Sequence, residues 1–120
     1  MKKQEMILDL TYLKEISGGD TAFQDTIIRQ FITQMSDELQ QIEMAIKEGN
    51  MLKIKSLAHG IKSTVAYMGL GEKIHPYLQR METESAMNEK ATHYNQDLQQ
   101  IKYVCTRAVQ EAQQLITRPA

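Results

Sequence analysis

The amino-acid sequence predicts an all-α fold, an up-down-up-down four-helix bundle with a short additional helix at the N-terminal end. The 120 residues include only two prolines and six glycines, so few positions interrupt helices. Apolar residues recur at three- and four-residue spacing in several long segments, which is typical of helices with one buried face. No segment shows the sustained alternation of a half-buried strand.

Length and composition predict a single domain over residues 1–120, with a core from about 8 to 116. The formal net charge of -1 gives no electrostatic reason to expect nucleic acid or an anionic membrane as a partner. Cys105 is the only cysteine and lies on an apolar helical stripe, which indicates a buried thiol and a reducing, cytoplasmic setting. We expect no signal peptide and no membrane span, since no apolar run approaches the roughly 18 residues required.

The first helix is predicted to be short. Asp9 can cap its start, and Gly18-Gly19 can end it because glycine readily adopts left-handed backbone angles. We expect this helix to cover one end of the bundle. Its predicted apolar residues are Leu10, Leu13 and Ile16.

The second helix is predicted to begin at Asp20 or Thr21, where Thr21 and Gln24 have the spacing of a capping box. Gly49 ends it and Asn50 can cap the next helix, so the short connection predicts an antiparallel hairpin. The predicted buried face comprises Ile28, Phe31, Ile32, Met35, Leu39, Ile42 and Ile46.

The third helix carries the most informative pattern. On a helical wheel of about 100° per residue, one side gathers Ile54, Leu57, Ile61, Thr64, Val65 and Met68. His59 lies on the opposite side, so we expect its imidazole to face solvent. Within roughly 60° of it on the same wheel lie Lys55, Ser56, Lys62, Ser63 and Ala66.

Two more helices complete the predicted bundle. Pro76 indicates that the fourth helix either begins close to this residue or kinks there. The predicted inner side of that helix carries Ile74, Tyr77, Leu78 and Met81. The last helix shows a long three-four repeat of Tyr94, Leu98, Ile101, Cys105, Ala108, Ala112 and Leu115.

Few enzyme motifs are present. The chain has no glycine-rich phosphate loop and no Gly-x-Ser-x-Gly elbow, so we expect no ATP-binding kinase activity of its own. Glu72-x-x-His75 matches one half of a di-iron carboxylate pattern, but that site requires two such pairs, and we predict no metal site. The other notable polar side chains are interpreted as an ordinary solvated surface: Glu82, Glu84, Glu89 and His93.

His59 is therefore the one candidate reactive group. An exposed imidazole is largely uncharged at neutral pH and offers a nitrogen lone pair to a phosphoryl group. Lys62, one turn along, can offset negative charge on the phosphoryl oxygens. Ser63 is small enough to admit a partner and can donate a hydrogen bond.

The sequence around His59 resembles the histidine-containing phosphotransfer (HPt) domain of two-component phosphorelays. Ala58-His59 is followed by Lys62 at plus three, Ser63 at plus four and a helix-terminating Gly69 at plus ten. The family's usual lead-in is similar to residues 8–13 and 16–20, and the resemblance extends from about 8 to 115. Two departures are small: Thr64-Val65 replaces a small polar pair, and Gly60 weakens the helix by about 1 kcal/mol relative to alanine.

The resemblance implies a phosphorelay intermediate that accepts a phosphoryl group on His59 from a receiver-domain aspartate and passes it to another. It implies response-regulator receiver domains and a hybrid sensor histidine kinase as partners, no cofactor on this chain, and magnesium on the partner receiver. Lys55, Ser56, Ala66 and part of the second helix are implied to line the docking face. We expect a monomer.

Two alternatives remain open at the level of sequence. The main one is a four-helix interaction or adaptor module whose histidine is incidental, including an HPt relative that docks receivers without carrying phosphate. A metal-dependent helical bundle is the more distant alternative. Acid-labile phosphorylation would distinguish the carrier from the adaptor.

Overall fold

A computed structural model of the chain describes residues 7–87 and 93–117. This part of the chain is all-α, as predicted, and contains no strand. Its five helices are α1 (Thr11–Ser17), α2 (Thr21–Glu48), α3 (Met51–Ala66), α4 (Gly71–Ala86) and α5 (Tyr94–Thr117). Glu89 lies outside the described residues.

The four longer helices pack as a closed ring. Helix α2 contacts α3 and α5, and α4 also contacts α3 and α5. Each long helix therefore buries its apolar face between two neighbours, which is how amphipathic helices form a bundle core. The short α1 packs on α2.

The core contains most of the predicted apolar residues. Those with no exposed surface include Met35, Ile42, Ile54, Ile61, Met68, Leu70, Ile74, Leu78, Met81 and Ile101. Cys105 is buried as predicted, and burial, with a smaller effect of the Glu38 charge, raises the pKa of its thiol to about 12. On α1, Leu13 is buried whereas Ile16 is 41% exposed.

Helix α3 buries a wider face than its apolar stripe predicts. Ala58, directly before His59, has no exposed surface, whereas Leu57 and Thr64 are only half-buried. The reason is that α3 packs against both α2 and α4, so the buried sector spans two contacts.

The N-cap of α1 is Leu10 and not the predicted Asp9, although Asp9 accepts a hydrogen bond from the Thr11 N–H at 3.0 Å.

The starts of α2 and α3 are capped by side chains, with one further correction. Asn50 caps α3 by accepting a hydrogen bond from the Lys53 N–H at 3.1 Å. At the start of α2, Asp20 accepts from the Phe23 N–H at 3.0 Å, so the capping box predicted at Thr21 is wrong. The amide of Gln24 instead donates to Ser17 Oγ at 2.8 Å and ties α2 to α1.

Pro76 lies inside α4, which begins at Gly71. The alternative in which the helix starts close to Pro76 is therefore wrong. Proline removes one backbone hydrogen bond, to the carbonyl of Glu72 four residues earlier. Both residues are exposed, so water can satisfy that carbonyl.

Gly69 stands where the N-terminal segment crosses the end of α3. The Asp9 N–H donates to the Met68 carbonyl at 3.0 Å, and a Cβ added at Gly69 would lie 2.4 Å from Asp9 Cβ. Gly69 also has a φ of 71°, which favours glycine. Both close approach and backbone angle therefore require glycine in the turn that follows α3.

Candidate functional site

The structure places His59 on the solvent side of α3, as the helical wheel predicts. Its side chain is 69% exposed, although Ala58 and Ile61 on the same helix are fully buried. The backbone is thus held by the core while the ring projects outward. A partner can reach the imidazole without any change in the bundle.

Glu82 of α4 holds one nitrogen of the ring. Its Oε2 lies 3.0 Å from His59 Nδ1, and its side chain is only 18% exposed. Because α3 and α4 pack against each other, the carboxylate reaches the ring from beneath. His59 is therefore exposed but held in orientation.

The charge on Glu82 determines which nitrogen of the His59 ring carries the proton and which one has the lone pair. A hydrogen bond from Lys62, and a smaller one from His59, hold the pKa of the Glu82 carboxyl below its ordinary value of 4.5, against burial, which raises it. An ionised carboxylate only accepts hydrogen bonds, so the facing Nδ1 carries the proton. In the neutral ring the lone pair then lies on Nε2, the nitrogen that Glu82 does not contact.

Lys62 contacts the same carboxylate. Its Nζ lies 2.7 Å from Glu82 Oε1 and donates to Gln79 Oε1 at 3.0 Å. The Gln79 amide in turn donates to Thr83 Oγ1 at 3.1 Å. The structure therefore brings Lys62 and His59 together through Glu82, and Lys62 is less exposed than predicted, at 21%.

The remaining predicted site residues lie on two sides of the imidazole. Lys55 and Ser56 are exposed and, with Leu52, His59 and Glu82, line a shallow depression of about 400 Å³. On the other side, a second depression of about 400 Å³ is lined by Tyr12, Ser63, Ala66 and Tyr67. The Tyr12 and Tyr67 rings stand 5.9 Å apart.

Gly60, the residue after the histidine, lies against Glu38 of α2. A Cβ at this position would approach Glu38 Oε2 to 3.3 Å, so glycine leaves room for the carboxylate. Thr64 Oγ1 donates to Glu38 Oε1 at 2.9 Å, but burial outweighs this bond and raises the pKa of Glu38. These residues border a groove of about 360 Å³ between α2 and α3, with Ser63 on its edge.

Sequence reasoning missed Glu82 and Gln79. Glu82 was interpreted as part of a solvated surface, because nothing in the local sequence connects it with a histidine 23 residues earlier. A longer-range pattern connects the two helices. The turn between α3 and α4 lies midway between the members of each contacting pair, His59 with Glu82 and Lys62 with Gln79. Treating these helices as an antiparallel pair could have identified both partners.

Within residues 7–87 and 93–117, no group of three or more His, Cys, Asp or Glu side chains is arranged to hold a metal ion. No helix in these ranges combines the length and the apolar character needed to cross a membrane.

Comparison with known proteins relates this geometry to a family. Residues 26–116 match the family model of the Hpt domain. The chain belongs to the HPt family. It is therefore a phosphorelay intermediate, the role that the sequence resemblance implied. This HPt domain matches no curated protein sequence.

The fold agrees with the family. The crystal structure of histidine-containing phosphotransfer protein B (HptB) from Pseudomonas aeruginosa PAO1 superposes with a TM-score of 0.82 at 14% identity. The match covers 98% of this chain and 100% of that one. At such low identity the likeness concerns the arrangement of helices, so the roles of individual residues rest on the geometry described above.

Proposed function

We propose that His59 accepts a phosphoryl group on Nε2 from a receiver-domain aspartate and passes it to a second receiver aspartate. The observation that carries the proposal is the pairing of Nδ1 with Glu82 at 3.0 Å on a ring that is 69% exposed. Among the described histidines, only this one combines high exposure, a buried orienting carboxylate and a lysine on the same carboxylate.

The proposed reaction is an in-line displacement at phosphorus. The Nε2 lone pair forms the N–P bond while the bond between phosphorus and the aspartyl oxygen breaks, and the aspartate leaves as a carboxylate. Positive charge develops on the imidazole as the bond forms. The Nδ1–H to Glu82 hydrogen bond strengthens as this happens, so the carboxylate stabilises the phosphorylated ring.

Lys62 and Ser63 have supporting roles in this proposal. Lys62 keeps Glu82 ionised and oriented, and its ammonium can turn toward phosphoryl oxygens when negative charge arrives at Nε2. Ser63 is exposed one turn beyond His59, where a larger side chain would obstruct a partner. Its hydroxyl can donate to the phosphoryl group.

The partners we propose are response-regulator receiver domains and a hybrid sensor histidine kinase, with the docking face built from Lys55, Ser56, Ala66 and the adjoining part of α2. The exposure of these α3 residues around His59 supports this placement. Magnesium is assigned to the receiver, and this chain is proposed to bind no cofactor. We place the reaction in the cytoplasm.

The proposal also includes the topology of the helical bundle. We infer an up-down-up-down bundle from the two-residue connection between α2 and α3, the four-residue turn before α4 and the ring of contacts among the long helices. The N-terminal helix is an addition to this bundle. One domain over residues 1–120, with its core at about 8–116, and a monomeric state complete the proposal.

Transfer of label from a phosphorylated receiver domain tests the function. The chain is incubated with receivers previously labelled with radioactive acetyl phosphate, and the product is treated with acid and with alkali. Acid-labile, alkali-stable label on the wild type that is absent from His59→Gln is expected. Lack of label with every receiver, from folded protein that still binds them, would favour the adaptor function.

A further inference from the structure

We propose that Leu52 and Lys55 form a selectivity contact for the receiver domain, in the depression beside His59 on its N-terminal side. The inference rests on the proposed function and names how that partner is recognised. The expected occupant is an apolar side chain with a neighbouring carboxylate, from the receiver segment that borders its phosphoacceptor aspartate.

Leu52 is exposed without a structural role in the core. Its side chain is 78% exposed, more than any other large apolar side chain in the described residues. Capping of α3 is performed by Asn50, through the Lys53 N–H, and Leu52 is not among the apolar residues that pack against the core. A leucine that the fold leaves in water is available to a partner.

Leu52 is continuous with the site. It precedes His59 by seven residues, so the two side chains lie within about 20° on the same face of α3. Leu52, Lys55, Ser56, His59 and Glu82 together line one depression of about 400 Å³. A receiver that brings its aspartate to the imidazole must therefore cover this depression or leave apolar surface in water beside the reacting atoms.

The charge of α3 defines the chemistry of the occupant. The helix carries three lysines and no acidic residue. Lys62 is neutralised by Glu82 at 2.7 Å, whereas Lys55 forms no ion pair with another described residue. An aspartate-bearing receiver surface is complementary to this free cation, and such complementarity affects association rate and partner choice more than affinity.

The test compares two routes of phosphorylation. Phosphoramidate is a small donor that needs no docking, whereas a receiver domain must seat on the α3 face. Leu52→Gln removes the apolar contact and keeps a good helix former, Leu52→Met keeps the apolar contact, and Tyr103→Gln is the matched control. Tyr103 is 68% exposed on α5 and is not among the residues that line the depression beside His59.

We expect Leu52→Gln to slow transfer from the fastest receiver by about tenfold, as expected for losing a partly buried leucine. Leu52→Met and Tyr103→Gln should transfer at the wild-type rate, and phosphoramidate should label all variants equally. Transfer by Leu52→Gln within twofold of Tyr103→Gln, with every receiver tried, would overturn the proposal.

The charge component has its own control on the same helix. Lys55→Glu should slow receiver transfer several-fold at low salt, and salt should reduce the difference. Lys53→Glu makes the same change in net charge about 160° away from Lys55 on the wheel and should have a smaller effect. Equal effects of the two variants would contradict a local contact at Lys55.

Binding separates this inference from the carrier function. Calorimetric titration with unphosphorylated receiver needs no chemistry at His59, so weaker binding by Leu52→Gln supports the contact even if no variant takes phosphate. Light scattering tests whether a second copy of the chain, instead of a receiver, occupies the depression. A wild-type dimer that becomes a monomer on Leu52→Gln would overturn the receiver assignment.

Discussion

Two histidines of this domain pair with glutamates of α4, and the two pairs differ in the properties that the proposed phosphoacceptor requires. His59 Nδ1 lies 3.0 Å from Glu82, and His93 Nε2 lies 2.5 Å from Glu84. The His59 side chain is 69% exposed and that of His93 is 35% exposed. The two pairs have similar contacts but differ in how much of the ring a partner can reach.

The nitrogen that the carboxylate holds is the more important difference. At His59 the held atom is Nδ1, so Nε2, at the far end of the ring from the backbone, is free for a partner. At His93 the held atom is Nε2 itself, and the remaining Nδ1 lies next to the main chain. Lys62 adds a cation to the first pair, and no lysine is paired with Glu84 in the described residues.

The largest expected effect separates the two histidines directly. His59→Gln should abolish labelling by phosphoramidate and by receivers, because no other described side chain offers an exposed and oriented nitrogen. His93→Gln should retain wild-type labelling. The measurement is acid-labile label per mole of protein, with circular dichroism showing unchanged helix content. Label on His59→Gln that disappears in His93→Gln would reverse the assignment.

The two glutamates provide the next comparison. Glu82→Ala removes the charged hydrogen bond that orients His59, a contribution of about 1.5 kcal/mol, so receiver transfer should slow by about tenfold. Glu84→Ala removes the equivalent contact from His93 and should leave transfer unchanged. Single-turnover kinetics with one receiver checks both variants. Equal slowing would mean that packing of α4, rather than the carboxylate at His59, controls the rate.

A smaller effect is expected at the lysine that distinguishes the two pairs. Lys62→Met keeps much of the aliphatic stem and removes the charge, so transfer should slow by about fivefold, equivalent to about 1 kcal/mol in the barrier. Helix content should not change, since the side chain lies outside the core. An unaltered rate at low and high salt would exclude a role for this charge.

The smallest expected effect is on stability at low pH. The pKa of Glu82 is lowered in the folded state, so its interactions stabilise the fold above the ordinary value of 4.5 and are lost as the pH falls below it. Urea unfolding of wild type and Glu82→Gln from pH 7 to pH 3 should therefore show curves that converge on acidification. A constant difference across this range would contradict the ion-pair network.

Much of this geometry follows from local sequence. The wheel position of His59, the cap at Asn50 and the left-handed backbone angle at Gly69 are determined within one or two helical turns, where spacing and backbone preference decide the outcome. The buried state of Cys105 follows from the apolar repeat of α5. These features were predicted because each depends on near neighbours in the chain.

Contacts between helices were harder to predict. Glu82 is 23 residues from His59, and only the packing of α3 on α4 makes them partners. Asp97 is fully buried on α5, where its carboxylate pairs with Arg80 of α4, and a polar residue at that position gave no local indication of burial. Ile16 of α1 is the opposite case, an apolar residue that is 41% exposed although the neighbouring Leu13 is buried.

The most direct test of the account is the position of the N–P bond. The domain is labelled with ¹⁵N at histidine and phosphorylated with phosphoramidate, and phosphorus–nitrogen couplings are measured by nuclear magnetic resonance. The account predicts a coupling to Nε2 of His59, with the Nδ1 proton retained and bonded to Glu82. Phosphorylation at Nδ1 of His59, or at another histidine, would contradict it.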